Sequence, residues 1–146
     1  MVRVTLLLHS TVLVDLRPAD APIFQLVASN VGPMFATDVC VRAAGLPVKT
    51  RRSLGITEIA PTESERAASV RAQCDGLSHG DRLALLVVKK RGFQLVAKEP
   101  LLLVACAAGR ATRLDHLLAL LIEAGQMPEP EREYVAARFA TRRSAK

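Results

Sequence analysis

The sequence predicts a mainly β protein: an antiparallel sandwich or barrel of seven to eight short strands, closed by a C-terminal pair of α-helices. Three observations lead there. Residues 2–16 alternate between apolar and polar, turn-forming residues recur at fairly even spacing through the first hundred positions, and after Gly109 the apolar period lengthens to that of a helix. The expected division is a β domain over 1–108 and a helical hairpin or arm over 109–146.

In the opening stretch the even positions Val2, Val4, Leu6, Leu8, Val12, Val14 and Leu16 are apolar, broken only by Ser10. The odd ones carry Arg3, Thr5, His9, Thr11 and Asp15, with Leu7 and Leu13 as exceptions. A period of two is that of a half-buried strand, and Pro18 and Pro22 end it. A second strand is expected over 23–29, closed by Asn30-Val31-Gly32-Pro33, and a third over 35–43, broken by Gly45 and Pro47. Residues 48–59 read as a short edge strand with a connection, and 66–74 as a modestly alternating strand. The aliphatic run 82–89 is answered by 93–98 across Lys90-Arg91-Gly92, a hairpin signal. Residues 101–106 make a further apolar strand after Pro100.

Beyond Gly109, Thr112 and Asp115 resemble a helix start. Leu114, Leu117, Leu118 and Leu121 then form a stripe at helical spacing that stops at Gly125. Leu120 and Ile122 lie off the stripe, so this helix is apolar on more than one face. A second helix over about 131–143 carries acids first and bases last, in keeping with the helix dipole, and Tyr134, Val135 and Phe139 give it a narrow apolar edge.

The segment 24–41, FQLVASNVGPMFATDVCV, resembles a pattern of bacterial immunoglobulin-like domains, in which a strand ends in Asn-x-Gly and the next opens with Ala-x-Asp-Val. Ile59-Ala60-Pro61-Thr62-Glu63-Ser64 is similar to a turn of the same domains, with Thr62 where they carry glycine, and Gly80-Asp81-Arg82-Leu83 is similar to their approach to a late strand. The resemblance covers about residues 1–106. It implies an immunoglobulin-like sandwich, without the tryptophan and disulfide of antibody domains, and it brings no catalytic residue.

Composition bounds the function. The 146 residues are 50% hydrophobic and 23% charged, enough apolar surface for a core and too much for a disordered chain. No apolar run approaches a membrane span, and the N-terminal stretch lacks a signal-peptide cleavage pattern. Cys40, Cys74 and Cys106 are far apart and odd in number, which suits buried thiols in a reducing compartment better than disulfides or zinc. Arginine outnumbers lysine 15 to 5, a bias of GC-rich genomes, so a bacterial or phage source is expected. A cytoplasmic or virion-associated location follows.

Chemistry is sparse. Cys74, Asp75, His79 and Asp81 crowd one glycine-rich, polar segment that reads as a β-turn loop rather than a catalytic cluster, while His9 and His116 read as solvated or locally bonded. No metal-ligand, P-loop or nucleophile-elbow string occurs, so neither enzyme nor cofactor is expected. The expected function is a non-catalytic structural or protein-binding module. It would assemble with itself or a larger complex through Leu114, Leu117, Leu118, Leu120, Leu121, Ile122, Tyr134 and Phe139. The alternative is a basic nucleic-acid-associated protein using Arg51, Arg52, Lys89, Lys90 and Arg91, suggested by the net charge of +6.

Overall fold

A computed structural model of the chain describes residues 4–71, 77–99, 102–103 and 110–139. It overturns the sandwich. Five short strands form one all-parallel sheet, β1 (Leu6–Leu8), β2 (Met34–Thr37), β3 (Ile56–Ile59), β4 (Gln94–Val96) and β5 (Ala111–Thr112), in the order β3-β2-β1-β4-β5. Helices α1 (Ser10–Leu13), α2 (Ala21–Asn30), α3 (Asp38–Ala44), α4 (Val48–Ser53), α5 (Glu63–Arg71), α6 (His79–Arg91), α7 (Leu114–Glu123) and α8 (Glu129–Arg138) connect and cover it. This is an α/β fold without the expected immunoglobulin-like topology.

Both faces of the sheet are covered, which is how parallel sheets avoid water. Leu6, Leu8, Met34, Ala36, Ile56 and Val96 point into one core, which α2, α3, α7 and α8 help to build. Leu7, Leu95 and Ala97 point into the other, beneath α6. The three residues of β1 are therefore all buried, and the parity read over 2–16 does not describe it.

The expected second strand is α2. Its buried residues Ile23, Phe24 and Val27 stand one and four positions from the first, a helical interval. The expected third strand divides into β2 and α3 at Thr37, whose hydroxyl accepts the Cys40 N–H at 3.2 Å and caps the helix.

The stretches read as a strand over 66–74 and as half of a hairpin over 82–89 are helical where described, each opened by a capping box. In the first, Glu65 N–H donates to the Thr62 hydroxyl and Thr62 N–H to the Glu65 carboxylate. In the second, Ser78 and Asp81 exchange the same two bonds. Gly92, with φ of 70°, ends α6 in the left-handed conformation, so Lys90-Arg91-Gly92 is a helix stop and no hairpin turn. Residues 102 and 103 are helical, against the last expected strand, whose remaining positions lie outside the described residues.

Other expectations agree with the structure. β3 is an edge strand and β4 falls inside 93–98. The two C-terminal helices form as α7 and α8, and Leu114, Leu117, Leu118 and Leu121 join the same core as Leu6 and Leu8. The Asn30-Val31-Gly32 corner leads from α2 into β2. A Cβ on Gly32 would lie 1.8 Å from the Val4 carbonyl oxygen, so the turn requires glycine there. No helix among the described residues is long and apolar enough to cross a membrane.

Candidate active site at the carboxyl edge of the sheet

The strand order reverses beside β1: the chain steps outward through β2 and β3, then returns to lay β4 along the free side of β1. Crevices at such reversals, outside the carboxyl ends of the strands, are where open α/β sheets bind ligands. Three of the chemically capable residues at this edge come from well-separated segments. His9 follows β1, Asp38 follows β2, and Asp81 enters from the first turn of α6.

His9 is 3% exposed and caps α1, its Nδ1 accepting the Thr11 N–H at 3.2 Å. That leaves the ring proton on Nε2, which donates to Asp81 Oδ1 at 2.6 Å. The other Asp81 oxygen accepts the Ser78 N–H, and the Asp81 side chain remains 20% exposed. Asp38 accepts from its neighbour Val39 N–H and from Arg66 at 3.0 Å. The Cys40 thiol lies in the field of both carboxylates. Burial above all pushes its pKa up, the two acids add to the rise, and hydrogen bonds with Thr37 and the Ser10 backbone oppose it. A neutral, buried thiol of this kind is a poor nucleophile.

On the β4 side, Lys98 donates its backbone N–H to the Thr11 hydroxyl at 3.2 Å and its ammonium to Asp15 at 2.5 Å. Arg113, just after β5, pairs with Asp115 at 3.2 Å and is the more exposed cation of the two. The edge thus offers carboxylates and an imidazole at one side and cations at the other. Among the described residues no three carboxylate, imidazole or thiol groups gather closely enough to hold a metal ion.

The residues singled out in the sequence distribute differently. Leu114, Leu117, Leu118 and Leu121 are buried, Leu120 is 48% exposed, and Ile122 packs against the core from its margin. Tyr134 donates its hydroxyl to the wholly buried Asp20, and Arg138 pairs with the same carboxylate and stacks over Phe139. Arg51 and Arg52 end α4, and Lys89, Lys90 and Arg91 end α6, each just before a strand begins. They therefore mark the opposite, amino edge. Arg51 donates to the Ile56 carbonyl at 2.8 Å, and Arg91 forms a two-bond pair with Glu65. Of the crowded segment at 74–81, Cys74 and Asp75 lie outside the described residues. His79 bonds Ser69 at 3.0 Å, and Asp81 reaches His9. Sequence reasoning passed over the His9–Asp81 pair because 72 residues separate its members; the one local signal was the Ser78-x-x-Asp81 capping box.

These features define an α/β protein built on a five-stranded parallel sheet. Among solved structures it resembles a PilT N-terminus domain protein from the archaeon Sulfolobus solfataricus P2. The two are 13% identical with a TM-score of 0.59, over 82% of this chain and 94% of that one. PAE2754 from Pyrobaculum aerophilum is similar too, at 16% identity and a TM-score of 0.61, over 84% of this chain and 99% of that one. No protein-family model and no curated protein matches the sequence. At these identities the likeness establishes the fold, and it replaces the immunoglobulin-like reading. The expectation of a chain that is no enzyme, which followed the sandwich reading, is corrected with it: the fold is that of a PilT N-terminus domain protein.

Proposed function

We propose that the chain cleaves phosphodiester bonds of a nucleic acid in the crevice at the carboxyl ends of β1 and β4. The observation that carries this reading is the His9–Asp81 pair at the strand-order reversal: a 2.6 Å hydrogen bond from a buried imidazole to a carboxylate that still faces solvent. Asp81 keeps unused lone pairs and takes the proton of a water that attacks phosphorus, while the P–O bond to the leaving oxygen breaks and solvent protonates that oxygen. His9 holds that carboxylate in place through Nε2 while its own Nδ1 is committed to the helix cap, so it positions Asp81 and does not exchange the proton itself. Lys98 and Arg113 meet the charge of the phosphate, Arg113 with the fork suited to its oxygens. The net charge of +6 aids encounter with a polyanion.

A second reading has a specific observation behind it. Arg52, Lys89 and Lys90 are exposed on the amino edge, where a strand could lie without reaching Asp81. Self-association would use the apolar strip of α7 at Ala119 and Leu120, exposed along with His116 and Glu123. Incubation of the protein with end-labelled single-stranded RNA and DNA in magnesium buffer tests the main reading. It predicts shortened products from at least one substrate. Binding that leaves every substrate intact would favour the amino-edge reading.

A further inference from the structure

The Thr11 hydroxyl stands between the two halves of the crevice. It lies 3.0 Å from His9 Nδ1 and accepts the Lys98 backbone N–H at 3.2 Å. We propose that Thr11 is a positioning residue of the cleavage site. Through one hydroxyl it holds His9 in the tautomer that restrains Asp81, and it seats the segment just after β4 that carries Lys98. This deepens the nucleic-acid reading above and rests on it for the reaction, while the relay of bonds stands without it.

Donor counting gives each bond its direction. Nδ1 of His9 already accepts the Thr11 N–H at 3.2 Å, so it carries no proton, and the hydroxyl beside it donates. The two Thr11 donors share one nitrogen lone pair in a three-centre arrangement. The ring proton of the neutral imidazole then sits on Nε2, 2.6 Å from Asp81 Oδ1. A hydroxyl has one proton and two lone pairs, so giving the proton to His9 leaves it able to accept from Lys98. The bonds therefore run one way, from the Lys98 N–H to Thr11, from Thr11 to His9 and from His9 to Asp81, and a chain with one direction strengthens its members. His9 is 3% exposed, so a bond lost at its ring is not simply replaced by water. Asp81 Oδ2 is held by the Ser78 N–H within its own helix cap, and His9 supplies the restraint from the β1 side. One hydroxyl thus sets the base, on α6, against the cation that follows β4.

Nitrogen–proton correlation spectra of the histidine rings, amide hydrogen exchange and oligonucleotide cleavage test this on the full chain. The wild-type ring signal that vanishes in His9→Gln should show protonation on Nε2 alone. Thr11→Val keeps the shape and the backbone N–H but removes the hydroxyl. The Val96 carbonyl still accepts the His9 N–H at 3.0 Å, so β1 stays beside β4 and the variant should fold. It should shift the His9 Nδ1 resonance, speed exchange of the Lys98 amide by at least about tenfold, lower kcat by about tenfold and raise KM severalfold. Thr11→Ser, which restores the hydroxyl, should return all four toward wild type. A wild-type ring protonated on Nδ1 overturns the proposal whether or not the valine variant folds. So does a folded Thr11→Val with His9 and Lys98 signals unchanged, or a Thr11→Ser as impaired as the valine variant. The expected spectra from a protein that cuts no nucleic acid support the relay and remove the nuclease reading. Cleavage with kcat and KM unaltered in Thr11→Val keeps the nuclease reading and removes the positioning role.

Discussion

Replacing Glu65 by glutamine should remove a pH-dependent part of the protein's stability. Glu65 has a side chain only 6% exposed and receives two bonds from Arg91, at 2.7 and 2.9 Å, as well as the Thr62 N–H. The Arg91 guanidinium, with help from Thr62 and against the cost of burial, lowers the Glu65 pKa from 4.5 to about 2. A depression of that size corresponds to about 3 kcal/mol of folding free energy, and partial exposure of Arg91 brings the figure nearer 2 kcal/mol. Because the folded pKa is the lower one, this stability is fully present above the unfolded value of 4.5 and drains away as the pH falls toward 2. Urea denaturation of wild type and Glu65→Gln should show a gap of about 2 kcal/mol at pH 7, roughly halved by about pH 3.5. In melting temperature the neutral-pH gap is about 4–8 °C. A gap that stays constant between those two pH values would refute the reasoning. The same ion pair explains why Arg91, for all its place in a basic run, is not free for a phosphate.

Two further predictions concern the packing of the fold. Tyr134→Phe removes the 2.5 Å bond to Asp20, a carboxylate with no solvent exposure, and should cost about 1–3 kcal/mol by chemical denaturation; a loss below about 0.5 kcal/mol would show that Arg138 alone satisfies it. Gly32→Ala drives a methyl group into the Val4 carbonyl and should destabilise by more than about 2 kcal/mol or abolish soluble expression, whereas a melting temperature equal to wild type would mean the α2–β2 corner is built differently.

The parts of the fold legible in the sequence are those where one local signal dominates. The leucines of α7 repeat at helical spacing and bury the face they predict, and the charge order of α8 matches its dipole. The strands failed for a physical reason. β1 and β4 are three residues long and packed on both faces, so neither carries an alternation to read. The apparent parity of residues 2–16 mixes β1 with α1, where Val12 and Leu13 are both buried. In α6 the adjacent pairs Leu83-Ala84 and Val87-Val88 look like a continuous aliphatic strand, yet they recur every four residues. The capping boxes at Thr62–Glu65 and Ser78–Asp81 are the deciding marks, and in the sequence alone both look like turns. The immunoglobulin-like resemblance rested on turn residues, which serve a helix-to-strand corner as well as a strand-to-strand one. For the site, His9 looked like an interruption in a strand and Asp81 like part of a loop. Only the parallel topology, which lays β4 beside β1, brings them together.

The central claim is that the carboxyl edge, and not the basic amino edge, is where chemistry happens. Cleavage of one end-labelled oligonucleotide by wild type, Asp81→Asn and Lys89→Ala/Lys90→Ala, each checked for native circular dichroism, tests it most directly. The account predicts that Asp81→Asn loses at least about a hundredfold in rate, while the double lysine variant keeps cleaving and loses at most some affinity. Cleavage that survives in Asp81→Asn and vanishes in the lysine variant would contradict it.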